Sequence, residues 1–140
     1  MPTPKLKKLK RLTPRNAIRV LYVEDTEVIR DTITRLLQLS GYQVTIARNG
    51  EEGVKKAQQL HPDIILMDLR MPVMDGYNAI EEIRNNPQTH HIPVIVISAW
   101  SSKTERTQAK LAGANEFFVK PPDLNRLIET IENLVGTAAR

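Results

Sequence analysis

An acidic residue, Asp68, directly follows a short apolar run at residues 64–67. A short run of branched apolar residues is typical of a buried strand. The Pro and Gly in the segment 69–76 indicate that a turn follows. The same pattern occurs upstream, where the apolar segment 18–23 is followed by Glu24 and Asp25. We therefore expect two strands to bring three carboxylates to one edge of a sheet, where their charges require compensation.

Strand-like and helix-like segments alternate from residue 18 to the end of the sequence. The predicted strands are 18–23, 43–47, 63–67, 93–97 and 115–119. Apolar residues at helical spacing separate them, most clearly in the last segment, from Leu124 to Val135. Asn49 and Ser102 each stand three residues before a glutamate, a pattern typical of helix starts. Repeated β–α units with short connections indicate an α/β fold with a doubly wound, five-stranded parallel sheet and helices on both faces.

Length and composition indicate one soluble domain. A chain of 140 residues fits a single core. The sequence has no cysteine, which excludes disulfides and thiolate metal sites. No apolar stretch approaches the roughly 20 residues that span a bilayer, and no secretory signal is present. We therefore expect a cytoplasmic protein without a membrane span.

Charge divides the chain unevenly. Residues 1–17 hold six of the 20 Lys and Arg residues and no acid, whereas the remainder is mildly acidic. This predicts a basic flexible N-terminal arm at 1–17, a folded domain at 18–136 and a short tail at 137–140. The arm could bind nucleic acid, acidic lipid or an acidic partner. We favour the simpler interpretation of a solvated leader, because short basic runs are unspecific.

Five side chains that can support phosphoryl transfer fall at or just after predicted strand ends. They are Glu24, Asp25, Asp68, Ser98 and Lys120. Ligands of such sheets bind beyond the carboxyl ends of the strands. Clustered carboxylates raise one another's pKa unless a cation compensates them, and an all-oxygen ligand set suits Mg²⁺. A carboxylate beside a metal, a lysine and a hydroxyl can attack phosphorus and form an aspartyl-phosphate.

The sequence resembles the receiver domain of bacterial two-component response regulators over roughly residues 18–135. Four motifs carry the resemblance: Val23-Glu24-Asp25, the segment 68–76, Ile97-Ser98-Ala99 and the segment 113–121. Each motif alone is weak, but together, in order and at strand ends, they are specific. The resemblance implies a flavodoxin-like strand order 2-1-3-4-5. It also implies a phosphoacceptor switch rather than an enzyme, phosphorylated by a histidine kinase or a histidine phosphotransfer protein.

The resemblance also implies roles for individual residues. Asp68 is the phosphoacceptor, and the Lys120–Pro121 peptide is cis. The other implied roles are Mg²⁺ binding by Glu24, Asp25, Asp68 and the backbone carbonyl of Arg70, phosphate binding by Ser98 and Lys120, and switching by Ser98 and Phe117. Departures from the usual family residues are Glu24 for Asp, Ser98 for Thr and Phe117 for Tyr. None of them removes a required charge.

The expected output is a change of binding surface. Contacts to the phosphoryl group would shift the population between two states and remodel the fourth helix, fifth strand and fifth helix. The sequence ends soon after the last predicted helix, so we expect a stand-alone receiver that acts on a downstream protein or forms a homodimer through that surface. In the family that the sequence resembles, the positions of Arg70 and Trp100 flank the path of the hydrolytic water, and we expect these two side chains to slow dephosphorylation. Alternatively, Trp100 is an exposed aromatic residue on a partner-binding face.

Three other functions are compatible with parts of the pattern. A binding module that does not depend on phosphorylation would not need the intact set of acids and lysine. A phosphatase with an aspartyl nucleophile typically has an acid two residues after the nucleophile, where this chain has Arg70. A nucleic-acid binder would depend on the basic arm, because no recognition helix with a basic face is predicted, and we consider nucleic acid an unlikely partner.

Overall fold

The computed structural model describes residues 18–138, with side chains described through residue 136. Five strands are present: β1 Arg19–Val23, β2 Gln43–Ala47, β3 Ile64–Met67, β4 Val94–Ser98 and β5 Glu116–Val119. Five helices connect and follow them: α1 Glu27–Leu39, α2 Gly50–Leu60, α3 Gly76–Asn85, α4 Lys103–Ala112 and α5 Leu124–Ala138. The predicted arm at 1–17 and the last two residues of the predicted tail lie outside the described residues.

The five strands form one parallel sheet in the order β2-β1-β3-β4-β5. The predicted fold class and strand order are therefore confirmed. From β1 the chain continues to β2 at one edge of the sheet. From β3 it continues through β4 to β5 at the opposite edge. The strand order thus reverses between β1 and β3, which places a ligand crevice beyond the carboxyl ends of those two strands.

The core has two layers, one on each face of the sheet. Side chains of a strand alternate between faces, so Tyr22 faces the layer formed with α1 and α5, whereas Val23 faces the layer formed with α2, α3 and α4. Strands β3 and β4 are buried along their whole length. This burial confirms the interpretation of the apolar run 64–67 as a buried strand, and β4 is buried in the same way.

Polar side chains cap the first turns of three helices, two of which the sequence indicates. The Asn49 side chain accepts a hydrogen bond from the Glu52 amide at 2.8 Å, and Ser102 accepts one from the Glu105 amide at 3.1 Å. Asp75 caps α3 in the same way. Such caps satisfy amides that have no partner inside the helix. Among the described helices, none combines the length and apolar character needed to cross a membrane.

Candidate functional site

Three carboxylates converge at the crevice between β1 and β3. Glu24 and Asp25 follow β1, and Asp68 follows β3, whose last residue pairs with the last residue of β1. One oxygen atom from each carboxylate lies within 4.8 Å of the others. Glu24 is 0% exposed and Asp68 is 5% exposed. The sequence prediction that two strand ends bring these acids together is therefore confirmed.

A lysine bridges two of the three acids. Lys120 follows β5, and its Nζ lies 2.5 Å from Glu24 Oε1 and 3.3 Å from Asp68 Oδ2. The Lys120 amide donates to the carbonyl of Ser98 at 2.9 Å, which continues the pairing of β5 with β4 beyond the strand. The Lys120–Pro121 peptide is cis, as expected. We refer to Glu24, Asp68 and Lys120 as the inner cluster.

Glu24 is more enclosed than the sequence indicated. Its Oε2 accepts a hydrogen bond from the Thr26 amide at 3.2 Å, and the Tyr22 hydroxyl lies 3.5 Å from Oε1. Arg30, which is itself buried, donates to the backbone carbonyl of Glu24 at 3.2 Å. The longer side chain of glutamate thus reaches inward to Lys120 in this structure instead of pointing toward solvent.

Burial and mutual repulsion perturb the charges of the site. Burial raises the pKa of Glu24, and the hydrogen bond from Lys120 only partly opposes this effect. Burial, followed by the neighbouring Glu24 carboxylate, raises the pKa of Asp25. Burial alone would lower the pKa of Lys120, but the hydrogen bond and charge of Glu24 and the charge of Asp68 raise it. One ammonium group therefore faces three carboxylates, so the site carries excess negative charge.

The backbone around Asp68 fixes the position of its carboxylate. The Asp68 amide donates to the Val23 carbonyl at 3.0 Å, and Oδ1 accepts from the Leu69 amide at 2.8 Å. Oδ2 is the oxygen on the Lys120 side. Gly76 packs so tightly against the Asp68 carbonyl that a Cβ atom there would overlap it. The glycine of the 68–76 motif is therefore required by close approach, in addition to the turn that the sequence indicated.

Ser98 and Phe117 occupy neighbouring strands next to this cluster. Ser98 ends β4, is fully buried, and its Oγ accepts a hydrogen bond from the Trp100 amide at 3.0 Å. Phe117 on β5 is half-buried and pairs in register with Val96 of β4. The guanidinium of Arg106 lies 4.7 Å from the centre of the Phe117 ring. Both residues thus lie on strands that also support the site.

A second set of side chains lies on the loops after β3 and β4 and on the helices that follow those loops. The Arg70 guanidinium lies 5.1 Å from the centre of the Trp100 ring and donates a hydrogen bond to Glu105 Oε1. The Tyr77 hydroxyl donates to Glu105 Oε2. We refer to Arg70, Tyr77, Trp100 and Glu105 as the rim network. It joins the loop after β3, the first turn of α3, the loop after β4 and the first turn of α4.

Sequence reasoning missed two parts of this arrangement. Arg30 lies at helical spacing from the buried Ile33 and Leu37, so the α1 pattern did contain a signal for its burial. The Glu105 carboxylate had no such signal. In the sequence, Glu105 indicates only a helix start, and its donors Arg70 and Tyr77 are 35 and 28 residues away.

The donor atoms of the site suit a hard divalent cation. The clustered ligand atoms are carboxylate oxygens, without a histidine or thiolate among them. Burial raises the pKa values of Glu24 and Asp25, and a cation bound to these acids would oppose that effect. Mg²⁺ prefers one or two carboxylates, retains several waters and bridges to phosphate oxygens. The site can thus hold such a cation and accept a further anion beside Lys120.

Comparison with known proteins agrees with this chemistry. Residues 20–132 match the family described as the response regulator receiver domain. The chain is 35% identical to protein PilH of Pseudomonas aeruginosa over 118 residues, which cover 84% of this chain and 98% of PilH. It is 33% identical to the polar-differentiation response regulator DivK of Brucella ovis over 119 residues, covering 85% of this chain and 97% of DivK.

Solved structures give the same result. The receiver domain of sensor histidine kinase PA1611 from Pseudomonas aeruginosa, with a magnesium ion coordinated in its active-site cleft, superposes with a TM-score of 0.80. It is 34% identical and covers 85% of this chain and 98% of its own. The Vibrio cholerae chemotaxis protein CheY4 superposes with a TM-score of 0.78 at 32% identity, covering 84% of this chain and 98% of its own.

Proposed function

This chain belongs to the response regulator receiver domain family, and from that premise we propose that Asp68 is its phosphoacceptor. Proteins of this family are phosphoacceptor switches in two-component signalling rather than classical enzymes, and histidine kinases phosphorylate them. The observation that carries the assignment to Asp68 is the geometry of the inner cluster. Asp68 follows the central strand β3, between the acids that follow β1 and Ser98 at the end of β4, and its Oδ2 lies 3.3 Å from the Lys120 ammonium.

The proposed reaction is an in-line phosphoryl transfer. A carboxylate oxygen of Asp68 attacks the phosphorus of a phosphohistidine, the P–O bond forms, and the P–N bond breaks. The leaving imidazole nitrogen then takes up a proton. Lys120 stabilises the phosphoryl oxygens by charge, and the Ser98 hydroxyl turns from the Trp100 amide to donate to one of them. The phosphoryl donor is a histidine kinase or a histidine phosphotransfer protein.

Glu24, Asp25 and Asp68 are the residues that would hold Mg²⁺, together with the backbone carbonyl of Arg70. When bound, the ion neutralises the excess negative charge of the carboxylates and of the phosphoryl group. Glu24 is already bound to Lys120, so its share of metal binding would be indirect, through water. The magnesium ion in the PA1611 receiver domain supports this proposal, because that domain is similar to this chain in sequence and fold.

The proposed output is a rearrangement of the surface formed by α4, β5 and α5. Movement of Ser98 toward a phosphoryl group would vacate space near β5, and Phe117 would turn into that space. Phe117 is suited to this role because it is half-buried and its ring contacts the long side chain of Arg106 from α4. The rearranged surface would bind a downstream protein or a second copy of the chain.

Arg70 and Trp100 are proposed to lengthen the life of the phosphorylated state. Their side chains are stacked on each other, and each stands two residues after a site residue, Asp68 or Ser98. Both side chains are more than half exposed, so they cover the site without belonging to the core. A bulky pair in this position would hinder the water that hydrolyses the acyl phosphate.

The decisive test is the intact mass of the protein after incubation with acetyl phosphate and Mg²⁺. We expect the wild type to gain the mass of one phosphoryl group, and Asp68→Asn to gain none. Asp75→Asn is the matched control, because Asp75 lies in the same loop but caps α3, a role that asparagine also fulfils. A mass gain in Asp68→Asn, or none in the wild type, would refute the assignment.

A further inference from the structure

Glu105 binds the guanidinium of Arg70, which stands two residues after Asp68. Its carboxylate accepts from the Arg70 guanidinium through one oxygen and from the Tyr77 hydroxyl through the other. The Glu105 side chain is 12% exposed, whereas that of Arg70 is 56% exposed. The carboxylate is therefore the fixed member of this pair, and Arg70 is the member that can move.

Arg70 stands two residues after Asp68, so an anion on Asp68 would offer its guanidinium an alternative partner. Phosphorylation adds about −1.5 to −2 charges and three strong acceptor oxygens. A guanidinium binds such oxygens by paired hydrogen bonds. The same guanidinium cannot keep its full contact with Glu105 while it turns to the phosphoryl group.

The contact also fixes the start of α4. Glu105 lies in the first turn of that helix, and its amide is capped by Ser102. Through Arg70 and Tyr77 the same residue is tied to the loop after β3 and to α3. The described contacts therefore connect the position beside the phosphoacceptor with the N-terminal end of a helix of the proposed output surface.

We propose that Glu105 is a positioning residue that holds Arg70 and α4 in the unphosphorylated arrangement and competes with the phosphoryl group for Arg70. This inference rests on the proposed phosphorylation of Asp68. An anion on Asp68 weakens the Arg70–Glu105 contact and releases the start of α4. By thermodynamic linkage, weakening that contact strengthens anion binding at Asp68 by the same factor.

The test is a double-mutant cycle read out by the affinity for beryllofluoride in the presence of Mg²⁺, measured by ¹⁹F NMR. Glu105→Gln preserves the shape of the side chain while removing its charge. We expect it to tighten beryllofluoride binding by at least about threefold when Arg70 is present. In an Arg70→Gln background the same substitution should have no effect, because the cation for which Glu105 and the bound anion compete is then absent. Glu81→Gln, which removes an exposed acid from α3, is the control for net charge and should leave the affinity unchanged.

A spectroscopic measurement gives a second readout in the same titration. Trp100 is the only tryptophan of the chain and lies against Arg70, so its emission reports the position of the guanidinium. We expect beryllofluoride to change the emission of the wild type and to leave that of Arg70→Gln nearly unchanged.

Three results would overturn the inference. Glu105→Gln could leave beryllofluoride affinity unchanged or weaken it, or it could have the same effect with and without Arg70. In each case wild-type binding would still support the phosphoacceptor site, so only the role of Glu105 would be rejected. If the wild type bound no beryllofluoride with Mg²⁺, the proposed function and this inference would both be rejected.

Discussion

The inner cluster and the rim network use the same kinds of charged groups in different surroundings. In the inner cluster, Glu24 is fully buried and the Lys120 side chain is only 13% exposed. In the rim network, the Arg70 side chain is 56% exposed. Buried pairs are costly to break, because an unpaired charge then remains in a poorly solvated place. An exposed arginine gains little stability from its ion pair and can change partners, even though the Glu105 side chain is only 12% exposed. The inner cluster is therefore suited to holding the site together, and the rim network to regulating it.

The largest expected effect is that of removing the lysine from the inner cluster. Lys120→Met leaves Glu24 and Asp68 buried without their cation, so we expect the free energy of unfolding to fall by about 3 kcal/mol in EDTA at neutral pH. Urea unfolding followed by circular dichroism measures this change.

An exposed ion pair provides the control for Lys120→Met. Lys55 lies 3.6 Å from Glu51, and both side chains are more than half exposed. Lys55→Met should change the free energy of unfolding by less than about 0.5 kcal/mol. Equal losses in the two variants would show that burial does not distinguish the inner cluster.

A smaller effect is expected at Asp25, which is the most exposed of the three clustered acids. Its pKa is raised, so the folded protein binds its proton more tightly than the unfolded chain does. Its contribution to stability is therefore present at low pH and is lost as the pH rises through the folded pKa. Asp25→Asn should remove this loss and stabilise the metal-free protein above that pKa. We expect a gain of less than about 1 kcal/mol, because solvent screens the charge.

Addition of Mg²⁺ should make the wild type more stable than Asp25→Asn, which reverses the order expected without the metal. Metal binding requires ionised carboxylates, so Mg²⁺ should raise the melting temperature of the wild type more at pH 8 than at pH 5. Asp25→Asn should gain much less at either pH. A variant that is stabilised by Mg²⁺ as strongly as the wild type would remove Asp25 from the proposed ligands. Thermal unfolding with Mg²⁺ or EDTA at both pH values decides the matter.

The rim network should affect kinetics more than stability. We expect replacement of both Arg70 and Trp100 by alanine to shorten the half-life of the phosphorylated protein by about threefold. This corresponds to a decrease of less than about 1 kcal/mol in the activation free energy of acyl-phosphate hydrolysis. The free energy of unfolding should change little, because both side chains are more than half exposed and the Tyr77 hydroxyl still donates to Glu105. Loss of bound phosphate over time, measured by intact mass after removal of the phosphodonor, gives the half-life. An unchanged half-life would leave Trp100 as an exposed aromatic residue available to a partner.

The two regions also differ in how far the sequence predicted them. The carboxyl ends of parallel strands meet at one edge, so strand prediction alone placed Glu24, Asp68, Ser98 and Lys120 near one another. The sheet order followed from the family resemblance. These features are set by the backbone, and short apolar runs report backbone structure well.

The choice of partner by each long side chain could not be predicted. Lys120 lies closer to Glu24 than to Asp68, because the Glu24 side chain turns inward toward the lysine. The contact of Arg70 with Glu105 depends on loop geometry and on two flexible side chains. Sequence spacing carries no information about either choice, because rotamers are selected by packing in three dimensions.

The smallest expected effect concerns the loop between the two regions. Val73 lies between Asp68 and α3 with φ of 70°, a left-handed conformation that is strained for a β-branched residue. Asparagine adopts this conformation more readily, so we expect Val73→Asn to raise the free energy of unfolding by about 0.5–1 kcal/mol. Chemical unfolding with and without Mg²⁺ measures the gain, which should be the same in both conditions because the strain is independent of the site.

Val28 supplies a matched control for this substitution. It is a valine on α1 that is 75% exposed, as is Val73, but it has helical backbone geometry. Val28→Asn should leave stability nearly unchanged, because valine and asparagine have similar helix propensities. Equal gains in the two variants would show that loss of an exposed apolar side chain, not relief of backbone strain, is responsible. A gain confined to Val73→Asn, with an unchanged half-life of the phosphorylated protein, would separate strain in this loop from the kinetic role of the neighbouring Arg70.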